Sequence, residues 1–477
     1  TIAASMDDNF ILMAERVTEH LSIKEAHLPK QRLWKLRAAK VILATGAIER
    51  PLIFSGNDLP GIMLSSAARS YIFRYDVLAG TRAIIFTNND DAYYTAIAIH
   101  DAGGFVRCIV DLRDNPKSQI ITTIRKLGVD VRTGHAVIAA HGTRHIASVD
   151  IAAYDTEKGT PTSDMVHMDC NFLAMSGGLN PVVHLHSQRK GKLIWDERTS
   201  CYRPENKSDE WVSIGSANGT FQLGRALSEA TKIANSAIAK LAKENQKITA
   251  QETTEIPQSE EDKQNWAPLP VWLIQSGQPY VSDKTAFVDF QNDSTAADIK
   301  LAVREGYHSI EHVKRYTTTG MATDQGKTSN INAIGILANT LNKSIAETGT
   351  TTFRPPYTPT SLGAIAGRNI GGLFDPVRTT RIHSWHQSNG AKFENVGQWM
   401  RAWYYPREGE NFQQAINREV HATRHYAGLL DASTLGKIEV KGPDSAEFLN
   451  RVYTNNFATL PIGKSRYGLM LKEDGMV

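Results

Sequence analysis

Four stretches of this chain gather side chains able to do chemistry. The first is the loop Thr323-Asp324-Gln325-Gly326-Lys327-Thr328. Its hydroxyls, amide and single fixed positive charge make a lining suited to a phosphate group, or else a solvated cap. The second is Ala44-Thr45-Gly46, which ends the apolar run from Lys40 to Leu43. A glycine there lets backbone lie close against a bound dinucleotide, although a plain strand-to-turn glycine reads the same way. The third runs from Trp211 through Asn218 and Gly219 to a helix predicted from Gln222 to about Lys243. A strand, a glycine-bearing turn and a helix start offer free amides and a positive dipole end to an anion; helix capping with no ligand is the alternative. The fourth is a pair of histidine pairs, His184 with His186 and His383 with His386. Alternation on a strand would put the first pair on one face. No third ligand is evident for the first pair, which is read as structural; nothing acidic or thiol-bearing is patterned with the second, where no metal is expected.

These residues need a frame, and the first 245 positions supply one of nucleotide-fold type. Ala83–Phe86 reads as a buried parallel strand, Ala92–Ala102 as a helix and Phe105–Val110 as the next strand, ending at Asp111. A working unit of this kind needs glycines between strand and helix so that amides can approach a pyrophosphate. Here the turn is Thr87-Asn88-Asn89-Asp90-Asp91, with no glycine and added negative charge. Asp111 stands where a ribose-binding acid would, but half a fingerprint makes no site. This unit is therefore read as a scaffold that no longer binds a dinucleotide; the other unit's glycine loop is expected upstream of Thr1. A helix from Ser118 to Leu127 and strands near 129–132 and 148–153 follow. The chain then returns through Phe172–Met175 to Ser176-Gly177-Gly178-Leu179-Asn180-Pro181.

The run from Glu244 to Pro270 is polar, holds three prolines and lacks periodicity, as an exposed connection does. Next come a strand at Ala286–Val288, a capping-box start at Thr295 and Asp298, and a helix burying Ile299, Ala302 and Val303 that stops near Gly306. A second helical piece, Ser309–Arg315, leads into the polar loop from Thr317 to Asn332. Beyond the prolines of Arg354–Pro359, Trp385, Trp399, Trp403, Tyr404 and Tyr405 are expected to pack the entrance of a last domain. That domain is read as a strand at Gly436–Val440, a helix capped by Asp444 and a strand at Tyr467–Leu471, with a hairpin signal at Asp474-Gly475.

Composition narrows the function classes. A chain of 477 residues has room for three domains, and 41% hydrophobic with 22% charged residues is ordinary for soluble globular protein. A net charge of +3 is too mild for a nucleic-acid partner. No apolar run is long enough to span a membrane, and no signal peptide is visible. Cys108, Cys170 and Cys201 have neither disulfide nor zinc spacing, which fits a reducing cytoplasm. Both ends read as cut.

The segment Lys284–Asn332 resembles the small helical, ferredoxin-like module that binds a two-iron, two-sulfur cluster through a C-x-C pair and a loop of the form G-M-G-x-C-Q-G-x-x-C. Asp289 and Gln291 fall on the first cysteine pair, Asp324 and Ser329 on the second, while Gly320, Met321, Gln325 and Gly326 remain. Thiolates hold such clusters, so this copy is expected to carry no iron. The cysteine-free version, together with ATGAIERPLIFSGNDLPGIM at positions 44–63, resembles the alpha subunit of heterotetrameric sarcosine oxidase. The run from Arg418 onward is similar to the opening of the folate-binding domain of aminomethyltransferases.

The fold this implies is α/β, in order a partial two-dinucleotide flavoprotein-like domain (1–245), a linker (246–270), the cysteine-free helical module (271–345), a connector (346–395) and the start of an α+β folate domain (396–477). The resemblance implies oxidative demethylation of sarcosine to glycine, with hydrogen peroxide and 5,10-methylenetetrahydrofolate as products. It implies NAD near Ala44, Thr45, Gly46, Asn218, Gly219 and Leu223, and FMN, shared with the beta subunit, near Thr323, Asp324, Gln325, Lys327 and Thr328. It also implies tetrahydrofolate in the last domain, FAD on a partner, and beta, gamma and delta subunits as partners. No catalytic residue is assigned to this chain. A related amine or imino-acid dehydrogenase subunit would keep cluster cysteines and lack the folate domain; a non-catalytic scaffold subunit is the other alternative.

Overall fold

The structure is a computed structural model that describes residues 2–23, 25, 27–244, 267–277, 283–321 and 323–477. Of the expected linker, positions 246–266 lie outside the described residues. The chain divides into two units, Thr1–Ile365 and Ala366–Val477.

The first unit is built on a five-stranded parallel sheet in the order Ile62–Leu64, Phe172–Ser176, Arg82–Thr87, Phe105–Asp111, Asp130–Thr133. Its central strand is apolar without alternation, Ala83–Phe86 being wholly buried, as a strand covered on both faces must be. Successive side chains serve different layers. Ala83, Ile85, Ile109 and Phe172 pack with Ala96, Ile99, Ile121 and Ile124 of the covering helices. Ile84, Phe86, Cys108 and Leu173 pack instead with Val137, Val149 and Ile151. Those three belong to an antiparallel sheet of His135–Gly142, Ile146–Asp155 and Val166–Asp169. The expected helices form as Tyr93–Asp101 and Gln119–Lys126.

Beside this scaffold, Val41–Leu43 pairs in parallel with Trp211–Ser213, register Val41↔Trp211 and Leu43↔Ser213. The long helix follows at Leu223–Glu244. His184 and His186 do not alternate on a strand: they lie in a short helix, His184–Gln188. Both are buried, their Nε2 atoms bonded to the carbonyls of Gln325 at 3.2 Å and Lys192 at 3.1 Å. Backbone thus takes one nitrogen of each ring, while both Nδ1 atoms are buried without a partner among the described residues.

The helical module belongs to the same unit. Thr295 caps the helix Ala296–Arg304 in a full capping box with Asp298, each side chain satisfying the other's orphan amide. Ile299 and Ala302 of that helix pack with Val313 from Ile310–Thr317 and with Ile334 and Leu337 from the buried helix Asn330–Leu341. Trp272 and Ile53 close this core. The expected strand lies one residue later, at Phe287–Asp289.

In the second unit, a sheet of Arg378–Thr379, Trp399–Tyr404 and Lys392–Val396 precedes the helices Phe412–His425 and Ser445–Val452. Asp444 stands at the last helix's N-cap without a side-chain bond. Gly436–Val440 and Tyr467–Leu471 do not form strands. Only one isolated bridge, Tyr453↔Met470, touches the second run, and without a paired neighbour a β-prone sequence has nothing to take its backbone bonds. Of the expected aromatic packing, Trp403, Tyr404 and Phe412 stack together, while Trp385 approaches Tyr405 at 6.3 Å.

Candidate functional site

The parallel pairing of Val41–Leu43 with Trp211–Ser213 places the next residues of both strands side by side. Ile214 donates its amide to the Leu43 carbonyl at 2.9 Å. Ala44, Thr45 and Gly46 therefore leave the sheet next to the turn that contains Asn218 and Gly219. In open α/β sheets, ligands bind off the carboxyl ends of parallel strands. Gly46 has φ of +74°, with open space where a Cβ would point, so backbone is accessible on that side. Thr45 does not face outward: its hydroxyl donates to the Val182 carbonyl at 2.9 Å.

Gly215–Asn218 forms a short 3-10 turn ended by left-handed Gly219, and Leu223 begins the helix 57% exposed. Glu229, eleven residues beyond Asn218, braces this turn. Its carboxylate accepts from the Gly215 amide at 2.9 Å and from Asn218 Nδ2 at 2.6 Å. The turn's shape is thus held by the helix behind it, a role that a residue eleven positions downstream gives no sequence signal for.

The glycine-free unit is filled from within. Arg113 sits between Asp90 at 2.8 Å and Asp111 at 2.8 Å, and Tyr93 donates its hydroxyl to Asp111 at 2.7 Å. Burial lowers the guanidinium's pKa, but the two carboxylates raise it further, so it stays charged. Burial and the Asp111 charge hold the Tyr93 hydroxyl protonated. Asp111 thus spends its acceptors on Arg113 and Tyr93. Across the turn, the Asn88 side chain donates to the Leu269 carbonyl at 2.7 Å, and Leu269 donates back to Asn88 at 3.2 Å. Chain from the end of the linker therefore lies against the turn where a working unit would face pyrophosphate.

The four positions aligned with cluster cysteines converge. Ser329 donates its hydroxyl to Asp289 Oδ2 at 3.2 Å. Gln291 Oε1 accepts from Thr323 Oγ1 at 3.2 Å and from the Asp324 amide at 3.3 Å. Asp289 also accepts from the amides of Gly320 at 2.6 Å and Gln291 at 2.9 Å. A Cβ on Gly326, at φ +71°, would stand 3.1 Å from the Gly320 Cα, so the two loop strands can close this far only around a glycine.

The rest of the loop is bonded to itself. Asp324 accepts from Gly326 at 2.8 Å and Thr328 at 3.1 Å, and the Gln325 side chain accepts from the Arg354 amide at 3.3 Å. Lys327 Nζ is turned inward, donating to the carbonyls of Asp324 at 2.9 Å and Tyr357 at 3.1 Å, with its charge 4.4 Å from the Tyr357 ring. Burial lowers its pKa, Asp324 countering in part. Beside it lies a cavity of about 40 Å³ lined by Asn180, His184, Tyr202, Lys327, Asn330 and Phe353. That is room for a water molecule or two rather than for a cofactor. Burial and the Lys327 charge push the His184 imidazole down to about 3.

In the second unit His386 is buried, its Nε2 2.9 Å from Asp431 Oδ2 and its Nδ1 bonded to the Tyr405 hydroxyl. The acidic partner lies 45 residues away in sequence, beyond any local pattern. His383 is not drawn in: its ring stacks on Phe393 at 4.6 Å.

Geometry of this kind defines a class. The first unit is a mixed α/β scaffold carrying a helical module whose loop is closed by carboxylate and amide groups. Among solved structures, L-proline dehydrogenase from P. horikoshii shares the fold, with a TM-score of 0.51 at 17% identity over 77% of this chain and 64% of that one.

The particular relationship is narrower. The sarcosine oxidase A3 domain model matches residues 283–368, and the GCVT N-terminal domain model matches 382–477. Sarcosine oxidase subunit alpha of Corynebacterium sp. (strain P-1) is 43% identical over 485 residues, covering 100% of this chain and 49% of that protein. The Rhizobium meliloti (strain 1021) subunit is also 43% identical, over 99% of this chain and 45% of its own length. An aminomethyltransferase of Corynebacterium aurimucosum is 39% identical over 94 residues, 20% of this chain and 23% of that one. The chain is similar to these sarcosine oxidase alpha subunits along essentially its whole length, and it spans about half the length of the relatives it matches. No helix among the described residues is long and apolar enough to cross a membrane.

Proposed function

We propose that this chain is part of the alpha subunit of a heterotetrameric sarcosine oxidase acting in the cytoplasm with beta, gamma and delta subunits. The reaction is oxidative demethylation of sarcosine to glycine, coupled to formation of hydrogen peroxide and 5,10-methylenetetrahydrofolate. The single observation that carries this reading is the 43% identity along the whole chain to sarcosine oxidase alpha subunits. A flavin, when bound, supplies hydride acceptance and reoxidation by oxygen, and the amine oxidation is assigned to a partner's FAD. No catalytic residue is assigned to this chain, whose proposed work is to bind and to position.

NAD is assigned to the crevice between Ala44–Gly46 and Asn218–Gly219. What supports this is the adjacency of the two turns, the open side of Gly46 and the exposure of Leu223. FMN, shared with the beta subunit, is assigned to the neighbourhood of Thr323, Asp324, Gln325, Lys327 and Thr328. Lys327 is the loop's one cation, but its donors are engaged by two carbonyls, so a phosphate held there must draw the ammonium away from them. The module is a cysteine-free relative of a cluster-binding module, and its loop is held by hydrogen bonds where thiolates would hold iron. Tetrahydrofolate is assigned to the domain that begins near residue 396.

The test is the purified complex. Sarcosine-dependent peroxide, loss of free formaldehyde when tetrahydrofolate is added, and copurified NAD and FMN without acid-labile sulfide are expected. An EPR-active iron centre in this subunit, or retention of full FMN and flavin-to-flavin electron transfer in Lys327→Ala, overturns the corresponding assignment.

A further inference from the structure

The antiparallel sheet of the first unit carries a cluster that none of the preceding sites uses. His141, Asp150 and His167 stand on its three strands His135–Gly142, Ile146–Asp155 and Val166–Asp169. Asp150 is directly opposite His167 in the register, and His141 pairs with Ser148, two residues before Asp150. Because side chains alternate, Val149 and Ile151 point into the core while Asp150 points out between the two imidazoles. His141 Nε2 lies 2.6 Å from Asp150 Oδ2, and His167 Nδ1 lies 2.9 Å from Asp150 Oδ1.

We infer that these three side chains form a binding site for a divalent transition-metal ion of the zinc, cobalt or nickel kind. Two imidazoles and a carboxylate are the donor set such ions take, at bond lengths near 2.0–2.2 Å, with a fourth position left to water. Their ligand atoms all lie within 4.8 Å of one another. A tetrahedral shell of that radius sets its ligands roughly 3.3 Å apart, so rotation of the two exposed imidazoles, not movement of backbone, is enough to complete it. Solvent leaves room for both rings to turn once their bonds to Asp150 are given up, with side-chain exposures of 47% for His141 and 60% for His167 against 21% for Asp150. On binding, each neutral ring carries its proton on the nitrogen turned away from the metal. The bound ion would tie the strand Val166–Asp169 across its neighbour to His135–Gly142, a clip on the sheet that supports the parallel core.

The test uses the full chain, dialysed against chelator, in a His421→Gln background. That substitution removes the other close imidazole pair, His421 and His425, whose rings lie 4.2 Å apart. Titration with Co2+ is expected to saturate at one equivalent with visible d–d absorption, and Zn2+ to displace it. His141→Gln and His167→Gln are each expected to weaken binding at least about tenfold, since losing a ligand costs no less than losing the residue that orients one. Thermal denaturation supplies a second readout. Zn2+ should raise the midpoint of the parent and not of either variant, while metal-free midpoints of all three agree. Absence of saturable Co2+ binding, or equal affinity in parent and variants, overturns the inference.

Discussion

Ser329 and Asp289 are forty positions apart in sequence, and the Ser329 hydroxyl donates to Asp289 Oδ2 at 3.2 Å in a wholly buried contact. Both stand where the resembled cluster module has cysteines. The same carboxylate also gathers the amides of Gly320 and Gln291, so one side chain closes the loop.

Asp289 is the hub of that closure, so its removal is costly. Asp289→Ala leaves the amides of Gly320 and Gln291 and the Ser329 hydroxyl without their acceptor inside the module. A loss of at least about 3 kcal/mol is expected in denaturant unfolding, with Asp289→Asn intermediate because one oxygen still accepts.

The geometry also offers a reversal. A chain carrying Asp289→Cys, Gln291→Cys, Asp324→Cys and Ser329→Cys together is expected to take up iron and sulfide on anaerobic reconstitution, giving an EPR signal after reduction. The unaltered chain treated in parallel should give none. Failure of the fourfold variant to bind iron, with its fold intact by circular dichroism, counts against the relationship of the two loops.

The filled nucleotide unit depends on Arg113. Arg113→Ala strands Asp90 and Asp111 as buried carboxylates, which costs about 3–5 kcal/mol. It should not create a second dinucleotide site, because Asn88 and Leu269 still close the turn. Calorimetric titration with NAD should give the same stoichiometry for parent and variant.

His184 predicts an acid limb. Its folded-state pKa, about 3, lies below the ordinary 6.5, so the unfolded chain binds the proton more readily. Stability from this group is fully present above pH 6.5 and is lost as pH falls from there toward 3. His186, lowered by burial, acts in the same direction. The slope from one such group cannot exceed about 1.4 kcal/mol per pH unit. His184→Gln keeps a donor for the Gln325 carbonyl and is expected to flatten the stability profile over that window.

Arg50 is wholly buried, donating to the Ser200 carbonyl at 2.8 Å with its guanidinium 5.0 Å from the Trp272 ring. Burial lowers its pKa to about 10. Since it carries a desolvation cost with no carboxylate salt bridge among the described residues, Arg50→Met, which keeps the packing, is expected to change stability by less than about 1.5 kcal/mol. Arg50→Ala opens a cavity against Trp272 and should cost about 2–5 kcal/mol. Urea midpoints of the two variants distinguish packing from charge.

Local signals in the sequence determined a good deal. The unbroken apolar run Ala83–Phe86 could only be a strand covered on both faces, and the Thr295–Asp298 spacing fixed a helix start to the residue. The pattern from Lys284 to Asn332 marked a small helical module, and it folds as the helices Ala296–Arg304, Ile310–Thr317 and Asn330–Leu341. What local signals could not carry was partnership at long range. Gly436–Val440 has the residues of a strand and no neighbour to pair with. His186 sits in a helix because its burial beside Lys192 outweighs the alternation of its neighbours. Arg113 found Asp90, Tyr93 found Asp111, His386 found Asp431, and Glu229 reached back to Gly215 only once the chain was folded. Hydrogen bonds and ion pairs act over about 3 Å, and which groups come that close is decided by packing of the layers, not by spacing along the chain.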